Sequence, residues 1–172
     1  FDGGRIVGWS ITPAAIKPRP TLIFFNGYGG NKVKVANYLM WALQGFTCLT
    51  FDVRGQSGES SDFAQYPGGH TAGWVTWGLL DPKRYYFTRA YVDMVRAIDF
   101  AVTRPEVDAD RIGTTGCSQG GGLSLAAAAL DDRSKLCMAE VPGFGHFHRT
   151  LDVTKAPPWT DLTGYFQMRP QD

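Results

Sequence analysis

Short apolar runs alternate along this chain with segments whose apolar residues recur at helical spacing. The run at 21–25 is continuously apolar, as expected for a strand that is covered on both faces of a sheet. The runs that predict strands are residues 5–11, 21–25, 46–51, 111–115 and 135–141. Since strands and helices take turns, we expect right-handed crossovers and a mostly parallel sheet.

Three helices are predicted between these strands. The first runs from about Lys32 to Gln44 and ends at Gly45. The second ends at Arg104-Pro105, and the third is a small-residue helix after Ser118. The apolar positions that mark the second helix are Tyr91, Val95, Ile98 and Val102. From Pro142 onward the periodicity is lost, and we expect only one short helix near the end.

Residues 116–120, Gly-Cys-Ser-Gln-Gly, fit the pattern G-x-S-x-G, with a β-branched strand before them and a helix after them. In that context the pattern predicts a nucleophile elbow, a sharp turn that exposes the hydroxyl of Ser118 above the sheet. The flanking glycines suit a strained turn that has no room for side chains. The competing interpretation is a glycine-rich strand-to-helix turn or a weak nucleotide loop, and the strand-helix context favours the nucleophile.

Ester hydrolysis needs two N–H groups to hold the negative oxygen of its intermediate. The backbone N–H of Gln119, next to the nucleophile, is the first candidate. The second is the N–H of Tyr28, in the glycine-rich loop 26–30 that follows a strand. Taken alone, that loop would read as an ordinary turn.

Arg54-Gly55-Gln56 lies in the loop 52–58, which follows the predicted strand 46–51 at its C-terminal edge. The Arg54 and Gln56 side chains could lie in a solvated turn, or they could brace the elbow by hydrogen bonds, and the residues alone favour neither. The segment 59–83 is too long for a simple connection and is typical of segments that cover a site or an interface.

No acid-base pair is evident to complete a catalytic triad. In this kind of sheet the triad runs Ser, then Asp or Glu, then His along the chain. His70 precedes Ser118, while His146 and His148 read as surface or packing residues. Asp131 and Asp132 precede those two histidines but lie at the far end of the predicted helix; the other carboxylates after Ser118 are Glu140, Asp152 and Asp161. No metal site is predicted either, because no cysteine or carboxylate cluster supports the two histidines at ligand spacing.

Composition narrows the class of protein. With 172 residues, 44% hydrophobic residues and a net charge of +1, the chain has the composition of one globular domain or part of one. No nucleic-acid or membrane partner and no cofactor are indicated. Three cysteines predict reduced thiols and hence a cytoplasmic location, although residue 1 is Phe, so a signal peptide cannot be judged.

Several motifs together resemble the acetyl xylan esterase and cephalosporin C deacetylase family, carbohydrate esterase family 7. They are Asn26-Gly-Tyr-Gly-Gly, Arg54-Gly-Gln, Gly68-Gly-His-Thr-Ala-Gly-Trp, Asp81 with Tyr85-Tyr86, Asp108-Ala-Asp-Arg-Ile-Gly and Gly116-Cys-Ser-Gln-Gly-Gly-Gly. The resemblance spans about residues 4–152. It implies an α/β-hydrolase fold with a mostly parallel twisted sheet and serine-dependent removal of acetyl groups from sugars, including xylan fragments, and from cephalosporin-type small esters.

The resemblance also implies roles for particular residues. Ser118 is the nucleophile, Tyr28 and Gln119 are the oxyanion donors, and Arg54 and Gln56 support the nucleophile region. The family implies a homohexamer whose active sites face an internal chamber. It differs from this sequence in usually carrying histidine where Asn26 stands.

In that family the catalytic Asp and His lie in a C-terminal third, and this chain stops at Asp172. We therefore expect residues 1–172 to be a single truncated α/β-hydrolase domain, the N-terminal half to two-thirds of the fold, which is inactive alone. Two other functions stay open: a catalytically dead binding or assembly module, and an α/β-hydrolase peptidase.

Overall fold

A computed structural model describes residues 3–14 and 17–171, and five strands in it form one sheet in the order β1-β3-β2-β4-β5. β1 runs antiparallel to β3, and the other neighbouring pairs are parallel. The strands are β1 (Gly8–Ile11), β2 (Arg19–Phe25), β3 (Thr47–Phe51), β4 (Val107–Cys117) and β5 (Ser134–Glu140). This is the mostly parallel α/β sheet that the sequence predicts.

The helices flank this sheet on both sides. Two short 3-10 turns, Val35–Tyr38 and Trp74–Thr76, accompany them. The α-helices are α1 (Leu39–Leu43), α2 (Tyr86–Val102), α3 (Gln119–Leu130), α4 (Phe147–Val153) and α5 (Trp159–Met168).

The core lies mainly on one face of the sheet. There, alternate residues of the strands pack against α2 and α3, as Ile23, Leu49 and Ile112 show. The opposite face carries a smaller cluster under α1, which includes Ile11, Cys48 and partly buried Phe24. Because side chains alternate along a strand, the two clusters lie on opposite faces of one layer.

Several boundaries differ from the predicted ones by a few residues, and three of them have a clear cause. In place of one helix from about Lys32 there is a 3-10 turn from Val35 followed by α1 from Leu39, because Lys32 binds Asp52 and Lys34 is extended. The first strand begins at Gly8, since the N–H groups of Arg5 and Val7 donate to serine hydroxyls at 61 and 60. β4 begins at Val107, which pairs with Arg19 of β2.

The predicted number of helices in the C-terminal segment was wrong. Two helices follow Pro142, where one was expected. α4 exposes much of its surface, and its short sequence has little helical periodicity. Its partly buried Phe147 packs against Trp159 of α5 with ring centroids 5.3 Å apart. Contacts between helices therefore hold a helix that local pattern does not reveal.

Candidate active site

Three parallel strands end together and deliver three loops to one edge of the sheet. Phe25 of β2 pairs with Phe51 of β3 on one side and with Gly116 of β4 on the other. The loops that follow contain residues 26–30, 52–58 and the elbow at Ser118. At the carboxyl edge of a parallel sheet such loops form the usual ligand site.

Ser118 has the strained backbone of a nucleophile elbow. Its φ is 57° and its ψ is −120°, a combination that side-chain-bearing residues rarely adopt, and its side chain is exposed. A Cβ atom at Gly116 or Gly120 would collide with the carbonyl oxygen of Phe25. Both flanking positions therefore need glycine, for the steric reason inferred from the sequence.

The backbone around Ser118 is anchored on both sides. Its N–H donates to the carbonyl of Glu140 at 3.0 Å. Its own carbonyl accepts from Gly122 at 3.1 Å and from Gly143 at 2.7 Å. These bonds offset the strain and hold the turn between β4 and the loop after β5.

The two predicted oxyanion donors have no partner within residues 3–14 and 17–171: neither the N–H of Tyr28 nor that of Gln119 donates a hydrogen bond there. The loop that carries Tyr28 closes by a bond from the N–H of Gly30 to the carbonyl of Gly27 at 2.9 Å. Gln119 begins α3, where a backbone N–H is unsatisfied by the helix and favours negative charge. Each of the two N–H groups therefore keeps an unused donor among the described residues, although Gln119 itself is fully buried.

The ring of Tyr28 is held from the segment 71–77. The N–H of Val75 donates to its hydroxyl at 3.2 Å, and Trp74 lies edge-on with centroids 5.2 Å apart. Trp74 in turn donates from Nε1 to the carbonyl of Gly55 at 3.0 Å. Burial raises the pKa of Tyr28 to about 12, so the phenol is neutral at physiological pH. Part of the long segment 59–83 thus packs directly on the loop that carries Tyr28.

Arg54 and Gln56 are both buried beneath the site. Arg54 makes a bidentate ion pair with Asp93 of α2, with bonds of 2.5 and 2.8 Å, and also reaches Asp62 at 3.3 Å. Gln56 accepts from the N–H of Gly29 at 2.8 Å. Its amide also bonds the side chain of Gln119 at 2.9 Å. Arg54 therefore fixes its own loop, while Gln56 touches both loops of the site.

A buried ionic network, which the sequence did not reveal, joins the bases of two of these loops. The fully buried carboxylate of Asp52 accepts from the N–H of Lys32 at 2.6 Å and from its Nζ at 2.7 Å. It also accepts from the N–H of Glu59 at 2.8 Å, and the carboxylate of Glu59 pairs with Lys32. The network ties residues 31–32 to residues 52–59.

The histidines have local structural contacts. His70 packs edge-on against Trp77, with centroids 4.4 Å apart. His146 caps α4 by accepting from the N–H of Arg149 at 3.2 Å, and His148 is exposed. Within the described ranges, Ser118 has no hydrogen bond to any of the three.

Three further features concern metal ligands, membrane-spanning helices and cysteines. In the part of the chain that the structure describes, no group of three His, Cys, Asp or Glu side chains could hold a metal ion. None of the helices described is long and apolar enough to cross a membrane. The cysteines are free, but only Cys48 is fully buried, which raises the pKa of its thiol to about 11; Cys117 is exposed.

Comparisons with known proteins identify the family of this chain. The family model for acetyl xylan esterase (AXE1) matches residues 1–172. The acetyl esterase Axe7A of Xylanibacter ruminicola is 33% identical over 153 residues, which are 86% of this chain and 35% of that protein. The chain therefore spans only part of the length of this relative.

Solved structures extend the likeness. An acetyl xylan esterase from a Paenibacillus species has a TM-score of 0.95 at 42% identity, over 99% of this chain and 55% of that one. Acetyl xylan esterase 1 from a Thermoanaerobacterium species has a TM-score of 0.92 at 35% identity, over 97% and 53%. With its α/β-hydrolase fold and the family match along its whole length, the chain belongs to the acetyl xylan esterase family.

Proposed function

We propose that this chain carries the nucleophile and oxyanion hole of a serine esterase that removes acetyl groups from sugars. The observation that carries the proposal is the exposed Ser118, in its strained turn above the sheet edge. Backbone N–H groups of Tyr28 and Gln119 that donate no hydrogen bond among the described residues support it, because an acyl-transfer intermediate needs such donors. Family membership supports the acetyl ester as the substrate.

The proposed reaction has two steps, acetylation of Ser118 and hydrolysis of the acetyl-enzyme. The Ser118 Oγ attacks the acetyl carbonyl carbon and gives its proton to a general base, while the N–H groups of Tyr28 and Gln119 hold the oxyanion. The carbon–oxygen bond to the sugar then breaks, and the sugar oxygen takes that proton. Water attacks the acetyl-enzyme, releasing acetate and restoring the serine hydroxyl.

We assign the general base to none of the three histidines, since His70 packs against Trp77, His146 caps α4, and no hydrogen bond joins the exposed His148 to Ser118 within the described residues. We accordingly expect residues 1–172 alone to hydrolyse acetyl esters at least ~10³-fold more slowly than the full-length gene product, because nucleophile and base act as a unit. Comparable rates for the two would contradict this assignment.

We propose acetyl esters as the substrate class. Acetylated xylan oligosaccharides and cephalosporin-type acetyl esters are the substrates to compare. Aminoacyl p-nitroanilides serve as the control, since a peptidase would cleave their amide bond. Faster turnover of the anilides than of the acetyl esters would reject the esterase.

The full-length gene product with Ser118→Ala tests the function most simply. We expect a burst of p-nitrophenol from p-nitrophenyl acetate in the parent protein, and a rate at least ~10³-fold lower in the variant. An unchanged burst in a variant with an unaltered circular dichroism spectrum would reject Ser118 as the nucleophile.

A further inference from the structure

Gln119 is fully buried, although it directly follows the exposed Ser118 at the elbow. From the first turn of α3 it reaches across to the loop after β2. Its Nε2 donates to the carbonyl of Asn26 at 3.1 Å, and its Oε1 accepts from Gln56 at 2.9 Å. A buried amide with both ends engaged holds its neighbours in one geometry.

The orientation of both amides is fixed by the backbone they touch. A carbonyl only accepts, so the atom of Gln119 near Asn26 must be nitrogen; an N–H only donates, so the atom of Gln56 near Gly29 must be oxygen. With those ends fixed, the two side chains face each other with a donor opposite an acceptor, at 2.9 and 3.2 Å. Gln56 also donates to the hydroxyl of Tyr86 at 3.0 Å.

The side-chain amides of Gln56 and Gln119 form hydrogen bonds to the loop on either side of Tyr28. Gln119 holds the carbonyl of Asn26, two residues before it, and Gln56 holds the N–H of Gly29, one residue after it. Asn26 is also anchored by its own side chain, which donates to the carbonyl of Phe51 at 2.7 Å. The N–H of Tyr28 lies between these attachments without a partner in the described residues.

We propose that Gln119 is a positioning residue that sets both halves of the oxyanion hole: its backbone N–H forms one half, and its side chain, paired with Gln56, places the N–H of Tyr28 that forms the other. The proposal rests on the proposed esterase function. Preorganised donors stabilise a developing oxyanion without reorganising during the reaction, so loosening the second loop weakens the transition state more than the bound substrate.

The test compares Gln119→Met with Ser124→Ala in the full-length gene product. Methionine keeps the length of the side chain and the backbone N–H but removes the three hydrogen bonds of the side-chain amide. Ser124 is a matched control: it is equally buried in α3, and within the described residues its hydroxyl donates only to the carbonyl of Gly120, at 2.8 Å. We expect kcat on p-nitrophenyl acetate to fall ~10- to 100-fold in Gln119→Met with KM within about 2-fold, and to stay within about 2-fold in Ser124→Ala.

A kcat for Gln119→Met within 2-fold of the parent would overturn the proposal. If Gln119→Met does not fold, Gln119→Glu carries the test. The carboxylate still accepts from Gln56, but it places an oxygen against the carbonyl of Asn26 in place of the donor. The same loss of kcat is expected, and its absence likewise rejects the role.

A second measurement separates this proposal from the esterase function. In a Ser118→Ala background, the rate of hydrogen exchange at the Gly29 amide reports how often the loop 26–30 opens, without any turnover. We expect exchange at least ~10-fold faster with Gln119→Met and no change with Ser124→Ala. Unchanged exchange in both refutes the positioning role, whereas catalysis that survives Ser118→Ala refutes the esterase and leaves the exchange result standing.

Discussion

The two faces of the sheet are built differently. On the α2–α3 face, Ile23 and Leu49 are 0% exposed and Ile112 is 1% exposed. On the opposite face, α1 covers only the β1-β3-β2 end, and Leu136 of β5 is 53% exposed. Leu43 of α1 itself is 80% exposed.

The candidate site depends on the well-covered face. Gln119 begins α3, and Arg54 pairs with Asp93 of α2, so the elbow and its supporting loop are both attached to helices of that face. Rigid support from packed elements is what keeps catalytic groups in place. The open face contributes no hydrogen bond to the Gln56–Gln119 pair among the described residues. Substitutions on the covered face should therefore lower the free energy of unfolding much more than matched substitutions elsewhere.

The largest effect is expected at a buried ion pair of α2. Removing Arg54 as Arg54→Met leaves the buried carboxylate of Asp93 without its bidentate partner. We expect a loss of about 3–5 kcal/mol in the free energy of unfolding, measured by urea denaturation. Arg96→Met is the control, because its pair with Asp99 on the same helix is largely exposed and should cost about 1 kcal/mol or less. Similar losses in the two variants would contradict the greater importance of the buried ion pair.

A slightly smaller effect is expected from truncating apolar side chains on opposite faces. Ile23→Ala should cost about 2–5 kcal/mol, because it leaves a cavity between β2 and the covering helices. Leu43→Ala should change the free energy of unfolding by no more than about 0.5 kcal/mol, since that side chain is mostly in solvent. Urea denaturation of both variants checks this, and equal losses would show that α1 is as well packed as the covered face.

The sequence predicts those parts of the molecule that depend on neighbouring residues. Gly116 and Gly120 indicate the elbow because the pattern G-x-S-x-G lies within five consecutive positions, although the carbonyl oxygen that excludes a Cβ atom at both belongs to distant Phe25. The apolar run at 21–25 indicates a buried strand. The supporting role of Arg54 and Gln56 came from the resemblance, and the structure gives its partners. The residues alone left that role open.

Contacts between distant residues were not predictable. Asp93 lies 39 positions from Arg54, and Gln119 lies 63 positions from Gln56. Hydrophobic periodicity predicts which face of an element is buried, but it does not predict which polar side chains contact each other. The contact between Tyr28 and the 71–77 segment escaped prediction for the same reason, although the length of 59–83 indicated a covering role.

The smallest effect concerns Tyr28 at alkaline pH. Its folded pKa is raised from about 10 to about 12, mainly by burial. A group with a raised pKa stabilises the fold fully below its unfolded value, and that contribution is lost as pH rises through about 12. Between pH 10 and 12, we expect Tyr28→Phe to lose about 1 kcal/mol less stability than the parent, after allowance for the exposed part of the ring. Parallel stability curves for the two proteins would contradict the burial of the phenol.

The identity of the nucleophile is tested most directly by covalent labelling of the full-length gene product with diethyl p-nitrophenyl phosphate, followed by peptide mass spectrometry. The strained, exposed turn predicts one diethylphosphoryl group per chain, attached to Ser118, with loss of acetyl-ester hydrolysis in proportion to labelling. A label on another residue, or full activity with Ser118 modified, would contradict the account.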